Sequence, residues 1–240
     1  MNQREVTSPI ILAVDTRELD TAKRWIEATR ESVSVYKLGL EFFLSFGSEG
    51  VSQISQEFGV DIFLDLKLHD IPTTVSSATS AIADLSPRFL TVHASGGSAM
   101  MAAAAKAAPH IDITAVTILT SLSEEDLFSI GFANPALESA VALAQLATTS
   151  GARAIVCSPL EISAIRGVVG DEITIITPGV RPASSQKTDD QVRTMTPESA
   201  IAEGANFVVI GRPITGKWSE GASAMRQAAM DIASSIQSNS

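Results

Sequence analysis

Eight short runs rich in β-branched and aliphatic residues recur along the chain, at residues 10–15, 33–38, 62–68, 89–93, 113–119, 154–157, 173–177 and 207–210. Between most of them lie stretches with the apolar spacing of amphipathic helices, at 19–30, 73–85, 98–108, 135–149, 159–168, 197–203 and 222–236. Alternation of this kind calls for parallel strands joined by crossover helices. Eight such units predict a single α/β domain spanning residues 1–240, closed as a (β/α)8 TIM barrel. A doubly wound open sheet is the alternative. It normally has fewer strands and a Gly-rich first turn, which Asp15-Thr16-Arg17 is not. The ends, about 1–8 and 237–240, are expected to be flexible, with the tail S-S-I-Q-S-N-S fraying.

The third run carries the most chemistry. It reads D-I-F-L-D-L-K-L-H-D-I-P-T-T-V over residues 61–75. Ile62, Leu64, Leu66 and Leu68 alternate with Phe63, Asp65, Lys67 and His69, the period of a strand. One face is aliphatic and packs under helices. The other holds a carboxylate and an ammonium two residues apart, with Asp70 just beyond. An exposed edge strand would carry such a face at no cost. In a barrel the strands are interior, and charges at the C-terminal end of one sit at the mouth where barrel chemistry occurs.

Composition narrows the field. Aromatic residues make up only 5% of the chain, as suits many helices packed closely on a sheet. A net charge of −10 argues against nucleic acid and anionic membranes as partners, yet permits a small phosphorylated ligand held by local cations. Cys157 is the single cysteine, so no disulfide framework is predicted, and its apolar setting A-I-V-C-S reads as core. The first residues, M-N-Q-R-E-V-T-S-P, lack the apolar segment of a signal peptide, and no run is long enough to span a membrane. A soluble, cytoplasmic protein is expected.

Several strands end in polar residues: Asp15 after the first, Lys37 in the second, Asp65, Lys67 and Asp70 in and after the third, Thr120 and Ser121 after the fifth. Isolated salt bridges explain one such pair, but five ionic groups converging on one rim read as a site. The seventh and eighth strands end in T-P-G-V-R-P and I-G-R-P. Gly179 and Gly211 let backbone N–H groups approach a ligand, while Arg181 and Arg212 offer forked cations, at the loops where barrels commonly hold phosphate. His69, His93 and His110 are scattered, and Lys67 already neutralises Asp65 and Asp70, so the site reads as metal-free. His110 is expected on the far face in a structural role. The polar segment 181–196 follows the seventh strand and has the length of a lid or binding loop.

The run D-L-K-L-H-D-I-P-T-T closely resembles the signature of the orotidine 5′-phosphate decarboxylase family in its bacterial form. L-A-V-D, Y-K-L-G, T-I-L-T-S, P-G-V-R-P, D-D-Q-V-R and V-I-G-R-P support it, in family order from residue 10 to residue 213. D-x-K-x-x-D is shared with related sugar-phosphate barrels; the H-D-I-P-x-T continuation adds the specificity. The resemblance implies loss of CO2 from orotidine 5′-monophosphate to give UMP, without cofactor or metal. It makes Lys67 the proton donor, with Lys37, Asp65 and Asp70 completing a charge array. Asp70, Ile71 and Thr74 would reach the neighbouring site of a homodimer. Asp15 would hold the ribose, Thr120 the pyrimidine edge, and Arg181, Gln191, Gly211 and Arg212 the phosphate, Gln191 also reaching the base. The loop from Arg181 to Gln191 is one residue longer than the bacterial pattern, which leaves Gln186 as a lesser candidate for that Gln role.

The residues suit this chemistry. Departure of CO2 from C6 leaves a carbanion with no electron sink, and an ammonium flanked by carboxylates can stabilise it and then protonate it. Two rivals stand beside this reading: a Mg2+-dependent sugar-phosphate aldolase or decarboxylase of the same superfamily, and a non-catalytic phosphate-binding barrel.

Overall fold

The computed structural model describes residues 8–182 and 195–238. The strands β1 (Ile10–Ala13), β2 (Val35–Gly39), β3 (Asp61–Leu68), β4 (Phe89–His93), β5 (Asp112–Val116), β6 (Ala154–Val156), β7 (Thr174–Thr177) and β8 (Phe207–Ile210) pair in sequence order, all parallel. The ring closes through β1 on β8, with Ile10 opposite Val208 and Leu12 opposite Ile210. The (β/α)8 TIM barrel is therefore present and the open sheet is not. Around it run α1 (Leu19–Thr29), α2 (Leu40–Phe58), α3 (Pro72–Ala83), α4 (Ser98–Ala107), α5 (Glu124–Ser129), α6 (Ala136–Thr149), α7 (Ile162–Val169), α8 (Pro197–Ala202), α9 (Arg212–Thr215) and α10 (Ala222–Ser238). Among the described residues no helix is long and apolar enough to cross a membrane.

Period-2 alternation sorts the strand side chains into two cores. Ile10, Leu12, Ile62, Leu64, Leu66, Leu90 and Val92 face outward, beneath the helices. Ile11, Val35, Phe63, Phe89, Ala154 and Ile176 form a smaller core inside the barrel. There the Phe89 ring meets Phe63 and Phe207 edge-on, with centroids 5.7 and 5.9 Å apart. The Arg88 guanidinium lies over Phe89 and Phe207 and pairs with Asp61 at 2.9 Å, which seals the N-terminal end. Inward-facing positions further along β3 and β4 therefore emerge at the opposite, C-terminal mouth.

Three of the described helices had no counterpart in the sequence pattern. In α2, Gly47 takes φ 61° and ψ −160°, so the helix breaks and restarts. Buried Phe42 and Val51 straddle that break, and on an unbroken helix their spacing would put them on roughly opposite faces, which hides the periodicity. The helices α5 and α9 are too short to show a period; α5 is set instead by a capping box between Ser123 and Asp126. At the other end, α10 continues through Ser238 where fraying was expected, because Ile236 is buried. Residues 1–7 and 239–240 lie outside the described residues.

Candidate active site

Because β1, β2 and β3 are neighbours, the ionic residues at their C-terminal ends meet. The Lys37 ammonium lies 3.3 Å from Asp15 Oδ1 and 3.6 Å from Asp65 Oδ2, and Lys67 Nζ lies 2.7 Å from Asp65 Oδ1. The four side chains form a line of alternating charge that runs inward, from Asp15, 58% exposed, to Asp65, 12% exposed. Gly39 leaves the room: a Cβ there would sit 3.1 Å from Lys37 Nζ. Burial alone would push the Asp65 carboxyl up. The ammonium groups of Lys37 and Lys67, and hydrogen bonds from Lys67 and Thr91, outweigh that and hold it below the usual carboxylate range.

Lys67 is backbone-strained as well as charged. The β3–β4 register runs from Leu64 opposite Leu90 to Leu68 opposite Val92, so β3 carries a bulge. Within it Lys67 takes φ 49°, a left-handed conformation costing roughly 1–2 kcal/mol for a residue with a Cβ. Its N–H, displaced from the ladder, donates to Thr91 Oγ1 at 2.8 Å, and Thr91 in turn donates to Asp65 Oδ1 at 3.0 Å. Thr91 was absent from the sequence-derived site. Its only signal is that it shares the inward register of Phe89, two residues back.

A cavity of about 200 Å3 opens beside this line, with Lys37, Asp65, Lys67 and Thr120 in its wall together with apolar Phe63, Val116, Ile118, Val156, Pro178 and Val209. It sets charged groups against a surface that excludes water, where electrostatic interactions gain strength. Cys157 also borders it, but the thiol is 1% exposed and burial pushes its pKa far up, so it is a core residue and not a nucleophile.

Other predicted residues divide into two groups. Asp70, Ile71 and Thr74 stay out of the cavity and are exposed; Asp70 accepts the Ile71 N–H at 2.6 Å, and among the described residues it forms no ion pair. Thr74 lines a shallow open groove on α3 with Thr73, Ser77 and Ala78. At the ends of adjacent strands β7 and β8, Gly179 takes φ 78°, Arg181 is buried with its N–H donating to Met195 O at 2.9 Å, and Gly211 leads into exposed Arg212 at the start of α9. Gly211 is not left-handed, so of these two it is Gly179 that needs glycine for its φ. Gln186, Gln191 and most of the segment 181–196 lie outside the described residues.

The His93 and His69 rings lie 5.4 Å apart beside the array, and burial, then His69 and Lys67, push the His93 pKa down against the pull of Asp65. His110 lies on the opposite face before β5, its Nε2 3.2 Å from the carbonyl of Ala83 at the end of α3. Among the described residues no three His, Cys, Asp or Glu side chains are grouped as metal ligands.

Residues 8–228 match the family described as Orotidine 5'-phosphate decarboxylase / HUMPS. An orotidine 5′-phosphate decarboxylase of Thermobifida fusca is 48% identical over 224 residues, covering 93% of this chain and 96% of that protein. One from Frankia casuarinae is 44% identical over 240 residues, covering 92% and 87%. The crystal structure of orotidine 5′-phosphate decarboxylase from Lactobacillus acidophilus matches with a TM-score of 0.81 at 33% identity, over 95% of this chain and 99% of that one. Family match, near-full-length relatives and barrel agree, and the chain belongs to the orotidine 5′-phosphate decarboxylase / HUMPS family.

Proposed function

We propose that the protein converts orotidine 5′-monophosphate to UMP and CO2 in de novo pyrimidine biosynthesis, with Lys67 as the proton donor. The observation that carries the residue assignment is the line Asp15–Lys37–Asp65–Lys67, which ends with an ammonium in the wall of a largely apolar cavity. The base lies in that cavity with C6 toward Lys67 and its edge toward Thr120. The C6–carboxylate bond breaks, CO2 departs, and the electron pair stays on C6. The Lys67 ammonium stabilises that pair and then delivers a proton to it, with solvent restoring the proton afterwards.

Asp65 does two things in this scheme. It fixes the Lys67 ammonium at 2.7 Å, and, ionised across the neutral range, it places negative charge next to the departing carboxylate. Asp15 holds the ribose through its exposed carboxylate. Arg181, Gly211, Arg212 and Gln191 hold the phosphate, far enough from C6 that its binding energy serves to orient the base. Asp70, Ile71 and Thr74 complete the neighbouring site of a homodimer. Their exposure in a single chain and the open groove on α3 support this assignment. The cytoplasm is the expected compartment.

No cofactor or metal takes part in the proposed step, because Lys67 supplies the positive charge that a Mg2+-dependent aldolase would take from its ion. The relatives' shared name also disfavours that rival. The test is loss of orotidine monophosphate ultraviolet absorbance on mixing with protein dialysed exhaustively against EDTA. Undiminished turnover with UMP as product is expected. A preparation that dies in EDTA and revives with Mg2+ overturns the metal-free mechanism, and one that binds UMP but never turns over is a binding protein.

A further inference from the structure

One fully buried polar side chain at the site has no part in the chemistry above. Thr91, 0% exposed, stands on β4 opposite the point where β3 loses register. Its hydroxyl accepts the Lys67 N–H and donates to Asp65 Oδ1, and both directions are forced: an amide can only donate, an ionised carboxylate can only accept, and a hydroxyl has one proton. Asp65 Oδ1 also receives Lys67 Nζ at 2.7 Å. Lys67 is thus held at its backbone and at its ammonium by one closed ring through Thr91 and a single carboxylate oxygen.

The ring explains why the bulge persists. From Leu64 to Leu68 β3 advances four residues (68 − 64) while β4 advances two (92 − 90), so the intervening N–H of Lys67 loses its ladder partner. A strained left-handed residue beside an orphaned amide survives only where its surroundings over-determine it. Valine would fill the same space as Thr91 on this strand, so packing does not account for the hydroxyl. We infer that Thr91 is a positioning residue for the decarboxylation: its hydroxyl locks the β3 bulge that aims the Lys67 ammonium. This rests on the assignment of Lys67 and Asp65 made above.

The experiment compares Thr91→Val and Thr91→Ser with wild type and with Lys67→Ala, reading kcat, KM and the pH profile of orotidine monophosphate turnover. Thr91→Val is expected to lower kcat by about 10- to 100-fold, as a misaimed catalytic group does, with KM changed less than about threefold because Thr91 is not assigned a substrate contact. The acid limb should move to higher pH, since Asp65 loses one of the groups that hold its carboxyl down. The other titratable groups facing it, Lys37 with Asp15 behind it, Lys67 and His93, keep their chemical identity in the variant. Thr91→Ser should restore both kcat and the limb. Wild-type kcat with an unmoved limb in Thr91→Val, or equal losses in the Val and Ser variants, overturns the inference. If Thr91→Val does not fold, Thr91→Ala against Thr91→Ser is read by the same criteria. Near-normal turnover in Lys67→Ala instead overturns the underlying site assignment, whatever the Thr91 variants do.

Discussion

Asp65→Asn keeps the shape of the side chain and removes the one charge that two buried or half-buried ammonium groups share. Lys67 Nζ and Lys37 Nζ stand 2.7 and 3.6 Å from its oxygens. With an effective dielectric near 20 those separations correspond to gross attractions of about 6 and 5 kcal/mol. Desolvation of Asp65 offsets much of this, and removal of one partner from a buried pair typically costs about 3–5 kcal/mol. Lys37 retains Asp15, which points to the lower end, about 3 kcal/mol, or a Tm lower by about 6–12 °C for a domain of this size. Urea unfolding of both proteins across pH supplies the assay. The folded-state pKa of Asp65 is depressed, so its contribution is fully present above the unfolded value of about 3.9 and is lost as pH falls through the folded value. The gap between wild type and Asp65→Asn should therefore be constant near neutrality and narrow only in acid. A gap below about 1 kcal/mol at pH 7, or one that widens on acidification, would refute the claim that Asp65 is the electrostatic centre of the array.

Arg212→Ala should raise KM by about 10- to 100-fold, the loss of one charge-assisted phosphate bond, while the fold survives because the side chain is exposed; an unaltered KM removes Arg212 from the phosphate site. In mixtures of Lys67→Ala and Asp70→Asn homodimers under subunit exchange, half the dimers become mixed and roughly a quarter of all sites recover activity; demonstrated exchange without recovery puts Asp70 to work in its own chain.

The barrel and the meeting of four of the five ionic residues expected at its rim, Asp70 being the exception, were legible in sequence for the same reason. Strand alternation is local: Ile62, Leu64 and Leu66 mark one face of β3, so Asp65 and Lys67 had to share the other, and the order of strands in a barrel brings Asp15 and Lys37 beside them. What escaped depends on relations that no single stretch records. Helix α2 was hidden by the break at Gly47, which throws Phe42 and Val51 out of phase. Thr91 acquires its role only because β3 bulges across from it, and the bulge itself follows from a pairing between strands rather than from either strand's composition. Gly39 likewise matters through Lys37 and Asp15, which lie above it only in the folded barrel. The exposed Ile71 and Thr74 have no visible purpose in one chain, and their assignment came from the family motif alone.

In the proposed step the Lys67 ammonium stabilises and protonates the carbanion. The most direct test of this role is the initial rate of orotidine monophosphate decarboxylation by Lys67→Ala, in a preparation whose fold is verified by circular dichroism and whose site is verified by UMP binding. Loss of both the electrostatic and the proton-transfer contributions predicts a fall of about four orders of magnitude or more in kcat. A folded, UMP-binding Lys67→Ala protein that turns over within about tenfold of wild type contradicts the account and moves the proton donor elsewhere.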